Sequence, residues 1–499
     1  MNGIVVLLII AAYFGVIFGV SAWTTRERDN DSHTFYRGNR KTPWYVVAVA
    51  MVGTSISGVT YVSVPGMVAD SQMSYLQMAM GFVAGYFVVA YVLLPVYYRL
   101  NLSSIYCYLE ERYGRRSHTT GACFFLLSKF LGCAVRMYLT AVVLQLVLFD
   151  GLGMPFGVTV GVMMLVVWLN TFRGGVKTLV WTDLLQTLCL LVAMVGFVFC
   201  VSSAMGLDAR GLADTLQDSE LSRVWFFDDV NDKRFFWKQF LGGMFTTIAM
   251  TGMDQDMMQK NLSCKSLREA QKNMVSYGFA FLPVNFIFLT LGILLYTYAQ
   301  QLGVCTVDGA GVYHLTDLSG TALKSDQLFP YLATGSDPTS GVPFLPMAVS
   351  VLFILGLISA AFSSAGSAVT SLTTAIMVDF QVGWRRRRVH LVNAVMMGVM
   401  IYVFHLLASG SVINAVYVIA SYTYGPLLGL FFFGLLTRRR PRDRYIPVVC
   451  LLSPLLCYII DTHSEQWFNG YHMGYELLLL NGLITAAGLY AISLGRVKS

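Results

Sequence analysis

The stretch GTSISGVTYVSVPG runs from Gly53 to Gly66, inside an apolar segment long enough to cross a lipid bilayer. It holds three glycines, four Ser or Thr within its first eight residues, and a proline at Pro65. Such a composition lets a helix come apart at mid-membrane depth, where unwound backbone is tolerated only if it lines a cavity. Carbonyls freed in this way are ligands for a hard cation such as sodium. The same small residues would also serve close helix packing. From this segment alone both readings stay open.

The rest of the chain reads as membrane protein. Of its 499 residues 56% are hydrophobic and only 12% charged, with a mean hydropathy of +0.62. Soluble domains carry about 25% charged residues, so bilayer is the second solvent. Windows of about 20 apolar residues predict thirteen spans, near 4–23, 43–69, 75–98, 119–148, 156–171, 178–204, 235–254, 273–301, 345–379, 390–408, 412–436, 445–463 and 473–495. The first lacks the basic flank and small-residue cleavage site of a secretory signal, and so reads as a span.

Charge predicts the orientation. With the amino terminus outside, the cytoplasmic loops and tail hold 26 of the 34 Lys and Arg, against five in the outer loops (Arg210, Arg223, Lys233, Arg234, Lys324). That asymmetry predicts an outside amino terminus and an inside carboxyl terminus. The net charge of +7 is then sorted by side, and its arginine runs anchor topology rather than bind nucleic acid. Loops 205–234 and 302–344, with acidic residues such as Asp228 and Asp229, are expected to form short helices over an outer vestibule. The nine cysteines show no CxxC or Cys/His spacing, which indicates neither zinc nor a redox centre. With no linker or soluble appendage, one transmembrane domain, 1–499, is expected.

A second interruption is predicted at Gly242, Gly243, Thr246 and Thr247, five spans after the first. Paired broken helices in two halves point to an inverted-repeat transporter. The repeats would be 43–204 and 235–436, with a lead helix at 4–23 and extra helices at 445–463 and 473–495. Between Ser359 and Phe380, in SAAFSSAGSAVTSLTTAIMVDF, Ser359, Ser363, Ser367, Ser371 and Thr374 recur at helical spacing and line one face with hydroxyls. Those hydroxyls can bond neighbouring helices or their own carbonyls, or can hold sodium through Ser363 and Ser364. Ionisable groups within spans are costly and therefore informative. Asp183 lies in WTDLLQ, and Arg136 follows Lys129 by seven residues on nearly the same helix face. An arginine's planar fork suits a carboxylate, whether a solute's or the protein's own.

Taken in order, these features resemble the sodium:solute symporter family over nearly the whole chain. GMDQDMMQKNLSCKSLREAQ (Gly252 to Gln271) is similar to the family's DQ…QR loop, with Lys260 where Arg is commoner. The hydroxyl-rich helix ending in Asp379 and the stretch YTYGPLLGLFFFGLLTRR (Tyr422 to Arg439) resemble two further family motifs. The resemblance implies an all-α polytopic protein with the leucine-transporter-type fold and two inverted five-helix repeats. It implies a principal sodium site at Gly53, Ile56, Ala360, Ser363 and Ser364. A second sodium site at Asp183 and Ser367 is implied in part, with Gly366 where a serine would stand. The first broken helix looks most like that of sialic-acid symporters, which implies solute contacts from Ser57 and Thr60 and a carboxylate partner in Arg136. Gln77 is a further polar candidate.

The expected function is therefore sodium-coupled import of a small organic solute across the plasma membrane, the bacterial inner membrane for the members it most resembles. Acidic sugars, neutral sugars and polyols compete as the solute. An enzyme is disfavoured by the lack of HExxH, G-x-S-x-G or paired-histidine motifs. An ion channel would explain the hydroxyls but predicts no saturable, gradient-coupled uptake. The partners expected are the solute, Na+ and the lipid bilayer, with no nucleic acid and no obligatory protein partner.

Overall fold

A computed structural model describes residues 3–24, 42–102, 104–172, 175–309, 311–336, 342–407 and 412–493. The basic loop 25–41 and the tail 494–499, whose charges enter the orientation argument, lie outside the described residues. In chain order the main helices are α1 (Gly3–Thr24), α2 (Trp44–Ser55), α3 (Gly58–Gly66), α4 (Tyr75–Arg99), α5 (Arg115–Leu144), α6 (Phe156–Thr171), α7 (Gly175–Ala204) and α8 (Phe236–Thr247). They continue with α9 (Gln255–Asn261), α10 (Leu267–Gln301), α11 (Met347–Val378), α12 (Arg386–Leu407), α13 (Val412–Leu436), α14 (Ile446–Trp467) and α15 (Leu477–Ile492).

Among the described residues eight helices are long and apolar enough to span a membrane alone, and the bent pair α2–α3 makes a ninth. Three of the thirteen expected spans, represented by Leu8–Thr24, Phe156–Thr171 and Leu477–Ile492, are shorter apolar helices. The thirteenth, 235–254, is interrupted. Burial sorts centre from rim. The apolar windows of α11 and α13 are 72% buried within the protein, whereas that of α14 is 22% buried and turns Leu451, Leu455 and Tyr458 outward. Such an outward face needs lipid around it.

The break between α2 and α3 falls where the sequence predicted it. Ile56 (ψ 99°) and Ser57 (ψ 173°) leave helical conformation, and the two halves meet at 60°. Val52 O receives the last helical N–H, from Ile56, so the carbonyls of Gly53 to Ile56 are the four a helix end leaves over. Around this break pack α5, α7, α10 and α11.

The second interruption lies further along than expected. Gly242 and Gly243 sit within regular helix; the chain departs from it in a π turn at Ile248–Gly252, and Asp254 then caps α9. The glycines serve packing instead. A Cβ on Gly243 would fall 2.2 Å from Met78 O, and one on Gly81 would fall 2.1 Å from Phe240 O, so α4 and α8 touch backbone to backbone.

Loops 205–234 and 302–344 do form short elements, among them the helices Ala209–Asp218 and Ser325–Thr334 and a hairpin pairing Cys305–Val307 with Tyr313–Leu315. They border a vestibule of about 420 Å³ walled by Asp70, Lys233, Arg234, Asp326 and Tyr475.

Candidate sodium and solute site

A central cavity of about 110 Å³ lies against the break, with room for several waters or one small organic solute. Thr54, Ser55, Ser57 and Thr60 reach it from α2 and α3, Lys129 and Arg136 from α5, Thr246, Thr247 and Thr251 from the α8 segment, and Ser364 from α11. Tyr86, Tyr277 and Phe281 supply its aromatic side. Ser55 bonds the Tyr277 hydroxyl, which also accepts from Tyr86 at 2.8 Å.

The two cations of α5 share this cavity but differ in their partners. Lys129 Nζ is 2.7 Å from Asp256 Oδ2 and 3.2 Å from Asp254, whose carboxylate also accepts a 2.5 Å bond from Tyr424. Lys129 is thus bound into the protein. Arg136 has no carboxylate within ion-pair distance among the described residues, and its buried Nε has no hydrogen-bond partner. An unpaired guanidinium facing a cavity is expensive to leave empty and ready for an anionic group.

Ser57 and Thr60 line the cavity as expected; Gln77 does not. Its amide donates to Arg234 O at 2.9 Å and accepts from Phe226 N at 3.3 Å, so it fastens loop 205–234 to α4. That carbonyl and N–H lie about 150 residues away in sequence and left no local signal.

The helices that carry the principal sodium candidates pack against each other. The free carbonyl end of α2, with Gly53 and Ile56, faces α11, where Ala360, Ser363 and Ser364 are all buried. Thr54 Oγ1 and Ser363 Oγ stand 3.5 Å apart across the junction. The close approach of α2 to α7 favours glycine at Gly53, because a Cβ there would fall 1.9 Å from Thr187 Oγ1.

Asp183 lies inside α7, 1% exposed. Its carboxylate accepts from Ser363 (2.9 Å), Ser367 (3.2 Å) and Thr54 (3.2 Å), so the expected second-ion residues do converge. The position is already taken. Lys260 Nζ lies 2.6 Å from Asp183 Oδ2 and 2.7 Å from Ser367 Oγ, and it also bonds Thr54 Oγ1. Reading along the chain flagged Lys260 only as a departure from a motif.

One further cluster escaped sequence spacing. Ligand atoms of Cys107, His118 and Asp379 lie within 4.8 Å of one another, with His118 bonded to Asp379 and Glu110.

A helical membrane bundle with a broken helix, a polar cavity at the break and buried hydroxyls beside it defines a membrane transporter. The chain belongs to the sodium:solute symporter family, whose match covers residues 35–442. It is 26% identical to the sodium-dependent multivitamin transporter of Oryctolagus cuniculus over 78% of this chain and 59% of that protein. It is 24% identical to sodium-coupled monocarboxylate transporter 2 of Mus musculus over 86% of this chain and 67% of that one. The chain thus spans roughly three-fifths to two-thirds of these two relatives. Against the sodium/sialic acid symporter NanT of Aliivibrio fischeri it is 23% identical over 95% of this chain and 91% of that protein. In three dimensions it shares the fold of a sodium-coupled sialic acid symporter in a substrate-bound, outward-open state (TM-score 0.78, 19% identity, 99% and 98% covered). A nucleobase-cation symporter follows with TM-score 0.58 and 14% identity, over 92% and 93% of the two chains.

Proposed function

We propose that this protein carries a small carboxylate-bearing organic solute into the cell together with sodium. The observation that carries the reading is Arg136 in the wall of the central cavity, which among the described residues has no carboxylate within ion-pair distance and no hydrogen-bond partner for its buried Nε. Two of the relatives are named for acids, monocarboxylates and sialic acid.

In this reading sodium binds Gly53, Ile56, Ala360, Ser363 and Ser364, holding the end of α2 against α11. That completes the adjoining solute site of Ser57, Thr60 and Arg136, and alternating access delivers both inside. The thirteen spans run from an outside amino terminus to an inside carboxyl terminus, in one domain of two inverted repeats (43–204 and 235–436). Moving one charge through 100 mV contributes about 2.3 kcal/mol; a carboxylate solute cancels that charge and leaves the sodium concentration gradient as the drive.

The test is uptake of labelled N-acetylneuraminate, small monocarboxylates, neutral sugars and polyols into proteoliposomes with and without an inward sodium gradient. Sodium-driven uptake lost in Arg136→Ala is expected. Sodium-driven uptake of a neutral sugar or polyol, unaffected by that substitution, would reject the acidic solute while keeping the coupling.

A further inference from the structure

We infer that Lys260 is a tethered replacement for a second coupling ion, and that the protein consequently binds a single sodium. The inference rests on the sodium-coupled reading above and deepens it.

An ammonium offers three N–H donors and no acceptor. Here each donor has an oxygen: Asp183 Oδ2, Ser367 Oγ and Thr54 Oγ1. The lysine is 1% exposed and Asp183 likewise 1%, so neither charge has water to turn to. A hard cation would ask for the same donor set, one carboxylate and neighbouring hydroxyls, and the ammonium supplies the same single positive charge. Gly366 brings no hydroxyl, and a Cβ there would meet Thr171 Cγ2 at 3.1 Å and Leu179 Cδ2 at 3.4 Å, an apolar wall.

The neighbouring principal site touches this cage only through Ser363, whose hydroxyl donates to Asp183 Oδ1 at 2.9 Å. Ser364 faces the central cavity, and the four carbonyls at the end of α2 are distinct from the oxygens Lys260 uses. Lys260 also ties α9, which follows the second interruption, to α2, α7 and α11 at once. The charge that a second sodium would carry in and out is thereby fixed in the protein, and solute accumulation follows the first power of the sodium gradient rather than the square.

The experiment is equilibrium binding of ²²Na⁺ to the purified full-length chain, counted as ions per chain, which requires no knowledge of the solute. Wild type is expected to bind one ion and Lys260→Gln two, because the unpaired Asp183 carboxylate then recruits a cation. Lys260→Arg, keeping a tethered charge, is expected to stay at one. The neutral double variant Asp183→Asn with Lys260→Met leaves no lone buried charge to impair folding and is also expected to bind one. Two ions in wild type, or one ion in folded Lys260→Gln, overturns the inference. No sodium bound by wild type overturns the symport reading itself, and this inference with it.

Discussion

The hydroxyls of Tyr75 on α4 and Tyr417 on α13 meet at 2.9 Å, and both residues wall the central cavity on one side and the vestibule on the other. The pair is a partition between the two spaces. A net hydrogen bond contributes about 1 kcal/mol, so Tyr75→Phe is expected to raise the open fraction about fivefold while leaving the rings in place. Alkylation of Thr246→Cys by a bulky thiol reagent supplied from the vestibule side should quicken accordingly. An unchanged rate would mean that some other contact closes the passage.

Arg136→Lys keeps the charge and loses the fork. Because a carboxylate is held bidentately by guanidinium and only pointwise by ammonium, KM for the solute is expected to rise about tenfold. Half-saturation by sodium, measured on the same vesicles at saturating solute, should move little. A variant with wild-type KM would place the solute's anionic group elsewhere.

Ser364→Ala removes one of the two hydroxyls proposed for sodium while sparing Asp183, which Ser363 and Ser367 contact instead. Losing one charge-assisted contact of about 1.5–3 kcal/mol corresponds to a ten- to hundredfold rise in the sodium concentration for half-maximal uptake. Since binding linkage is reciprocal, solute affinity at fixed low sodium should fall as well. Titrating sodium against uptake in wild type and variant decides it.

Lys129→Met strands two buried carboxylates, Asp254 and Asp256, without their cation. Breaking a buried pair from one side costs about 3–5 kcal/mol, which should appear as a large drop in thermal unfolding temperature in detergent. Adding Asp256→Asn is expected to recover part of the loss. If Lys129→Met melts with the wild type, the cluster holds its charge by other means.

Gly53→Ala drives a methyl group into Thr187 Oγ1. Overpacking of this kind costs about 1–3 kcal/mol, and here it also shifts a carbonyl proposed for sodium. Stability and sodium affinity should fall together, with Thr187→Ala restoring stability in part. Independence of the two losses would separate packing from ion binding at this position.

What could be read from the chain was local. The break at Ile56 and Ser57 is written in neighbouring glycines and hydroxyls, and the seven-residue spacing of Lys129 and Arg136 places both on one face and, as found, in one cavity. The different partners of those two cations were not legible. Asp254 and Asp256 reach Lys129 from 125 or more residues away, through a turn of chain that only packing defines. The second interruption was misplaced for a related reason. Glycines mark close approach as readily as unwinding, and Gly242 and Gly243 do the former. Lys260 is the clearest case: in sequence it follows a run of polar and Met residues and reads as a loop cation, yet it ends among oxygens from three other helices.

The backbone contact between α4 and α8 reaches beyond packing. With Gly81 notched against Phe240 and Gly243 against Met78, neither helix can slide or roll on the other without driving a carbonyl into its neighbour. The two therefore behave as one thick beam. Tyr75 stands at one end of this beam, and the chain leaving α8 runs directly to Asp254, the clasp on Lys129. A tilt of α4 that parts Tyr75 from Tyr417 must therefore carry α8 with it, so that gap is set by two helices moving as one and not by α4 alone.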